Sequence, residues 1–182
     1  MKNTYKLLAI AFLLCGSALT SLAQVTLNSS ASATIVTTMG LTKNYDLDFG
    51  NLAVTTVAGT CILAPETGPA PTRTITGGVT LPAFVGTPRA AEFIVTGVAN
   101  QFYTINIPQN VLTITRVTGT ETMTVDTYTT DQTVVTPSSW YGQLGVSGDA
   151  TFYVGGTVHV AASQTPGLYQ NLAGFPVTVN YQ

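Results

Sequence analysis

The sequence predicts an all-β protein, an antiparallel sandwich or barrel, from three observations. In the stretch 175–181, Phe175, Val177, Val179 and Tyr181 alternate with Pro176, Thr178 and Asn180. A strict two-residue period puts the four large side chains on one face of an extended strand and the smaller ones on the other. Further along the chain, short segments of this kind recur, bounded by Gly, Pro and Asn, with no amphipathic segment of helix length among them. Finally, there are 33 threonines, while Asp, Glu, Lys and Arg together make only 8% of the chain. Threonine is β-branched and suits a pleated surface that is wet without being ionic.

Taken in order, the predicted strands cover 31–39, 45–49, 52–57, 60–63, 73–75, 79–81, 91–96, 102–107, 111–116, 121–128, 150–160 and 175–181. The first continues an alternation that begins at Val25 and runs through Leu27, Ser29, Ala31, Ala33 and Ile35 on one face. In the second, Tyr45, Leu47 and Phe49 share a face opposite Asp46 and Asp48. Tyr103, Ile105 and Ile107 repeat the pattern, as do Met123 and Val125. One face in and one face out is the mark of antiparallel pairing. Gly155-Gly156 interrupts 150–160 and predicts a bulge or tight bend. Pro176 cannot donate to a ladder, so it belongs at a strand start or on an edge. Gly68-Pro69-Ala70-Pro71 reads as a short loop, and 128–148, which holds Trp140 and Tyr141, as a long one.

Lys2 and Lys6 precede an apolar run from Leu7 to Leu14, and small residues follow down to Ser21-Leu22-Ala23. This is the layout of a secretory signal peptide. Cleavage is expected after Ala23, leaving a single domain over 24–182 that is exported to the periplasm, cell surface or exterior. Cys15 follows the bulky Leu14, so lipidation there is not expected. No stretch reaches the roughly 20 apolar residues a spanning helix needs. Beyond the leader, Cys61 is the only cysteine and cannot form an internal bridge; beside Ile62 and Leu63 it reads as a small buried hydrophobe. The same region holds four cationic residues, Lys43, Arg73, Arg89 and Arg116, against all eight acidic ones. That leaves no basic patch for phosphates, so nucleic acid is not an expected partner.

Reactive constellations are not legible. His159 lies between Val158 and Val160 and should face outward if those valines are buried; it is the one histidine, so no histidine cluster can hold a metal. Asp46 and Asp48 share a strand face, an arrangement that serves glycoside hydrolysis or a calcium turn only with further acidic partners. A solvated strand face is the plainer reading. There is no Gly-x-Ser-x-Gly elbow and no phosphate loop. No catalytic, cofactor-binding or metal residue is therefore assigned. Trp140 and Tyr141 are the candidate ligand or partner contacts, because an exposed aromatic pair can stack on a sugar or anchor a protein. The alternative is that Trp140 covers one open end of the sandwich.

Several segments then carry a resemblance: Leu47-Asp48-Phe49-Gly50, Ala91-Glu92-Phe93-Ile94-Val95-Thr96-Gly97, Tyr103-Thr104-Ile105-Asn106-Ile107-Pro108, the VGGTVHV of 154–160, and the VTVNY of 177–181. In order along the chain, they resemble the bacterial secreted domain-of-unknown-function family 4402. More distantly the skeleton is similar to the spore-coat-U type pilin domain of archaic chaperone–usher pili, although the paired cysteines of that family are missing. The pilin resemblance implies an immunoglobulin-like antiparallel sandwich that can be one strand short, with a groove filled by an extended segment of a neighbour. Val25, Leu27, Ala31, Ala33 and Ile35 are the candidate donor-strand or interface residues; the alternative is that 31–39 is simply the first strand of a complete sandwich. The expected function is a non-enzymatic structural or adhesive module, a pilin-like surface or fibre subunit that associates with itself or with other subunits. The second expectation is a secreted or periplasmic glycan-binding domain.

Overall fold

Alternation sorts each segment of this chain into two faces, and in the computed structural model the apolar faces meet between two antiparallel sheets. The structure describes residues 25–182. The expected signal peptide and its cleavage site lie outside the described residues. The chain divides into two units, Met1–Ile35 and Val36–Gln182. In the first, residues 25–35 form no strand, and Val25, Leu27 and Ile35 are exposed. The second holds twelve strands and, among the described residues, no helix. The strands are β1 Gly40–Tyr45, β2 Ala53–Leu63, β3 Arg73–Thr80, β4 Ala91–Thr96, β5 Phe102–Asn106, β6 Leu112–Arg116, β7 Thr122–Thr130, β8 Thr133–Thr136, β9 Ser139–Gln143, β10 Asp149–Val160, β11 Tyr169–Gln170 and β12 Thr178–Tyr181.

The larger sheet runs β1-β4-β10-β7-β6-β11, with β2 also on β10 and β3 on β2; the smaller runs β12-β5-β9-β8. The long strand β10 organises the larger sheet. Its first half, Asp149 to Val154, pairs with β4, and its second half, Gly156 to Val160, pairs with β2. β7 lies along its other side, with a register shift between Gly155 and Thr157. The double glycine is thus the bulge its sequence foretold. Val154 and Val158 stay buried on either side of it, and His159 faces out between the buried Val158 and Val160.

Tyr103 and Ile105 from β5, Trp140 from β9, and Phe93, Val95, Phe152, Val154 and Val158 from the larger sheet belong to one buried cluster. Phe93 stacks on Phe152 at 5.3 Å between ring centroids, and Tyr128 stacks on Phe175 at 4.4 Å. Cys61 is fully buried, and desolvation pushes its thiol upward, partly opposed by the charge of Arg73. The result is an all-β antiparallel sandwich.

Four expectations about elements are corrected. Residues 31–39 do not form the first strand; Ala31 and Ala33 offer little area to offset the cost of ordering, and pairing starts only at Gly40, where Leu41 meets Val95. Of residues 45–49, Tyr45 is exposed and closes β1 opposite Glu92, while 46–49 alternate, with Leu47 and Phe49 half-buried and both aspartates exposed, but make only an isolated bridge between Asp48 and Arg89. The Asp48 side chain accepts the Gly50 amide at 2.7 Å, and Gly50 turns the chain at φ 67°. The pairs 52–57 with 60–63, and 73–75 with 79–81, merge into β2 and β3, because glycines there allow close backbone approach instead of ending the strands. The loop at 128–148 contains the hairpin of β8 and β9.

That last error has a clear cause. Trp140, Gly142 and Leu144 are buried at a two-residue period, but Gly142 reads as a gap in the pattern. In the fold the gap is filled by Tyr103: a Cβ on Gly142 would lie 2.6 Å from the Tyr103 ring and hydroxyl. The aromatic side chain of one strand occupies the place that the neighbouring strand leaves vacant.

The bulge provides a test of this account. A Cβ on Gly155 would collide with the Leu63 carbonyl oxygen of the neighbouring chain segment. Gly155→Ala is expected to destabilise the domain by roughly 2–3 kcal/mol through forced backbone shifts, read as a lower urea midpoint with an unchanged slope. An unchanged midpoint would contradict the tight approach.

Candidate functional site

Three regions of the surface are set by the strand register. The first is the outer face of the smaller sheet. Because Tyr103 and Ile105 point inward on β5, Phe102 and Thr104 must point outward. On β9, Trp140 and Gly142 are buried, so Tyr141 and Gln143 face outward. On β12, Val179 and Tyr181 point in while Asn180 and Gln182 face out. Phe102 and Tyr141 come together as an edge-on pair, with centroids 6.5 Å apart and planes at 71°. They line an open hollow of about 530 Å³ together with Gln101 and Gln182. No residue that the register puts on this face is charged.

The two sequence-stated contact residues are therefore separated by the pleat. Trp140 is buried, with only 3% of its surface exposed, as its inward position on β9 requires. Tyr141 is the half-exposed member, and its aromatic companion is Phe102. Phe102 was not singled out from sequence. The available signal was an aromatic residue out of phase with Tyr103, Ile105 and Ile107, on what should be the polar face.

The second region is one of the two edges of the same sheet, the other being β8. β12 pairs only with β5 among the described strands. The Gln182 amide donates to the Phe102 carbonyl, and Asn180 and Thr178 sit opposite Thr104 and Asn106. Antiparallel bonding alternates, so the peptide groups of Val179 and Tyr181 point away from β5 toward the unpaired side. The inward side chains Phe175, Val177, Val179 and Tyr181 are only half-buried. Tyr181 anchors one end: its hydroxyl accepts the Val98 amide at 2.8 Å and donates to the Thr37 carbonyl at 3.0 Å. The candidate donor residues Val25, Leu27, Ala31, Ala33 and Ile35 are all exposed in the segment 25–35.

The third region is the outer face of the larger sheet, which the threonines cover. Pairing places Thr76, Thr60, His159, Thr124 and Thr113 in one row across five strands. Thr60 and Thr76 share a hydroxyl–hydroxyl bond of 2.7 Å. His159 Nε2 lies 2.9 Å from an Asp126 carboxylate oxygen and donates to it when that nitrogen carries the proton. Burial pushes the Asp126 carboxyl upward, but bonds from His159 and Thr127 outweigh it and leave the group below its ordinary range. A shallow hollow of about 500 Å³ beside this row is lined by Thr60, Thr124 and His159 among others. Asp46 pairs with Lys43 in an exposed contact, apart from these regions. Among the described residues no group of three His, Cys, Asp or Glu could hold a metal ion, and no helix is long and apolar enough to cross a membrane.

Elsewhere, one ion pair closes the turn between β6 and β7. Arg116 donates to both carboxylate oxygens of Glu121, at 2.8 and 3.1 Å. These bonds are the main cause that holds the Glu121 carboxyl down to about 2. On the buried side, desolvation and, less strongly, Asp131 push the Tyr103 phenol up to about 12.

The model of a family described as "Domain of unknown function (DUF4402)" matches residues 39–181. No curated protein matches this chain, and no solved structure does.

The Arg116–Glu121 pair yields a pH prediction. A carboxyl held below its ordinary pKa stabilises the fold above about pH 4.5, and that contribution is lost as pH falls toward 2. Wild type is therefore expected to lose more stability than Glu121→Gln between those limits, measured by thermal melts at a series of pH values. Parallel curves for the two proteins would contradict the pairing. The pair is partly exposed, so added salt should narrow the difference.

Proposed function

We propose, from the premise that the chain belongs to the DUF4402 family over residues 39–181, that it is an exported non-enzymatic structural or adhesive module, a pilin-like subunit of a surface or fibre assembly. The observation that carries this reading is the open edge of β12, with its outward peptide groups and half-buried apolar face. An unpaired edge is a template for another strand, and natural sheets usually blunt theirs with charge, bulges or cover. β12 has no charged residue and no bulge against β5.

The occupant proposed is the segment 25–35 of a second copy. It forms no strand of its own, its sequence alternates at the period a strand needs, and it exposes Val25, Leu27 and Ile35. Main-chain bonds to Val179 and Tyr181 would supply attachment, and the alternate side chains would supply register. Because Ala31 and Ala33 bury little area, Leu27 and Ile35 carry most of the apolar gain, each about 1.5–3 kcal/mol when fully covered. A segment led to this role by a signal peptide would meet its partners outside the cytoplasm, which fits the expected export.

Light scattering across a concentration series tests the proposal. Residues 24–182 are expected to form oligomers that grow with concentration. Deleting residues 24–32 should leave a monomer with an unchanged circular dichroism spectrum. Val179→Pro should do the same, since it removes an outward N–H that β5 does not use. A chain that stays monomeric at every concentration, or a deletion variant that still assembles, would overturn the reading.

A further inference from the structure

The geometry points to a second binding surface: we propose that the outer face of the four-stranded sheet is a platform for a neutral glycan, seated on Phe102 and Tyr141. This face is separate from the open edge of β12 and does not depend on self-association.

The chemistry of a sugar ring is amphipathic. Its C–H bonds line one or both faces, and its hydroxyls radiate from the rim. An aromatic ring accepts the C–H face, and side-chain amides offer both a donor and an acceptor to the rim. The structure brings both kinds of group together. Phe102 is 47% exposed, although it stands on the polar side of β5. Tyr141 closes on it at 71°, so the two rings present a wall and a floor, not a flat stack. The amides of Gln101 and Gln182 border the same hollow, and Asn180 and Thr104 continue the polar strip beside it. Gln101 and Gln182 are both exposed, so their amides can reach sugar hydroxyls.

Charge and shape narrow the ligand. The face carries no ionised side chain, so uronate or sulfate groups find nothing to pair with there, whereas a neutral sugar gives up no charge hydration. The hollow spans about 530 Å³. It is shallow and open, which suits a length of polymer crossing the sheet more than an enclosed monosaccharide. A cross-strand aromatic pair can also serve the sheet alone, and the experiment must separate the two roles.

Affinity electrophoresis of the purified protein through gels containing hydroxyethylcellulose, laminarin, mannan, xylan or galactomannan does so, with alginate and hyaluronan as charged counterparts. At least one neutral polymer is expected to retard the protein. Phe102→Ala and Tyr141→Ala should each weaken that binding by roughly tenfold, and Gln182→Ala by a smaller factor. Phe102→Trp should retain it, and added salt should leave it unchanged. Thermal melts of the same variants read any structural role separately. If no neutral polymer retards the protein, if only the charged polymers do, or if both alanine variants migrate as wild type, the proposal is overturned.

Discussion

Two inward rows, Tyr103 and Ile105 on β5 and Phe152, Val154 and Val158 on β10, belong to one buried cluster, against which partly buried side chains of other strands pack. Full burial of such side chains contributes about 1.5–3 kcal/mol each. Because the side-chain period of a strand is two, a slip of one residue in either row would turn its apolar set to solvent. The register of β5 and β10 is therefore held by the core, and every surface feature inherits its position from it. His159 faces out because Val158 and Val160 face in. Phe102 is exposed because Tyr103 is not.

The same constraint explains why the molecule has surfaces of such different character. The larger sheet spends its outer positions on threonine, which keeps the strand conformation and hydrates without charge. One row even aligns four threonines with the single histidine. The smaller sheet carries aromatic and amide groups on its outer face and ends in a strand with one side unpaired. The proposed assembly needs an edge, and the proposed ligand needs a face. The four-stranded sheet supplies both without sharing residues between them, since peptide groups lie in the plane of a sheet and side chains stand out of it.

Charge plays a small part in this architecture. Three ion pairs are present among the described residues, and all involve partly or fully exposed groups. Exposed pairs contribute little, typically about 0–1 kcal/mol, so acid and salt should modulate the domain without governing it. Its cohesion rests on packing and on backbone pairing. That also fits a thiol, Cys61, that is used as a small hydrophobe in a chain with no second described cysteine to bridge it.

Local sequence pattern by itself determined the antiparallel β class, the faces of β5 and β7, the bulge at Gly155-Gly156, the outward His159 and, from its apolar neighbours, the buried Cys61. These are decided within one strand, by which side of the pleat an apolar residue falls on, and the sequence carries that information directly. The order of strands in each sheet, the free edge of β12 and the meeting of Phe102 with Tyr141 were decided by tertiary structure. Those depend on pairings between segments dozens of residues apart, which no local pattern encodes. Gly142 marks the boundary between the two kinds of knowledge. Alone it looks like a break in a loop, and only the Tyr103 ring packed against it makes it part of a strand and sends Trp140 into the core.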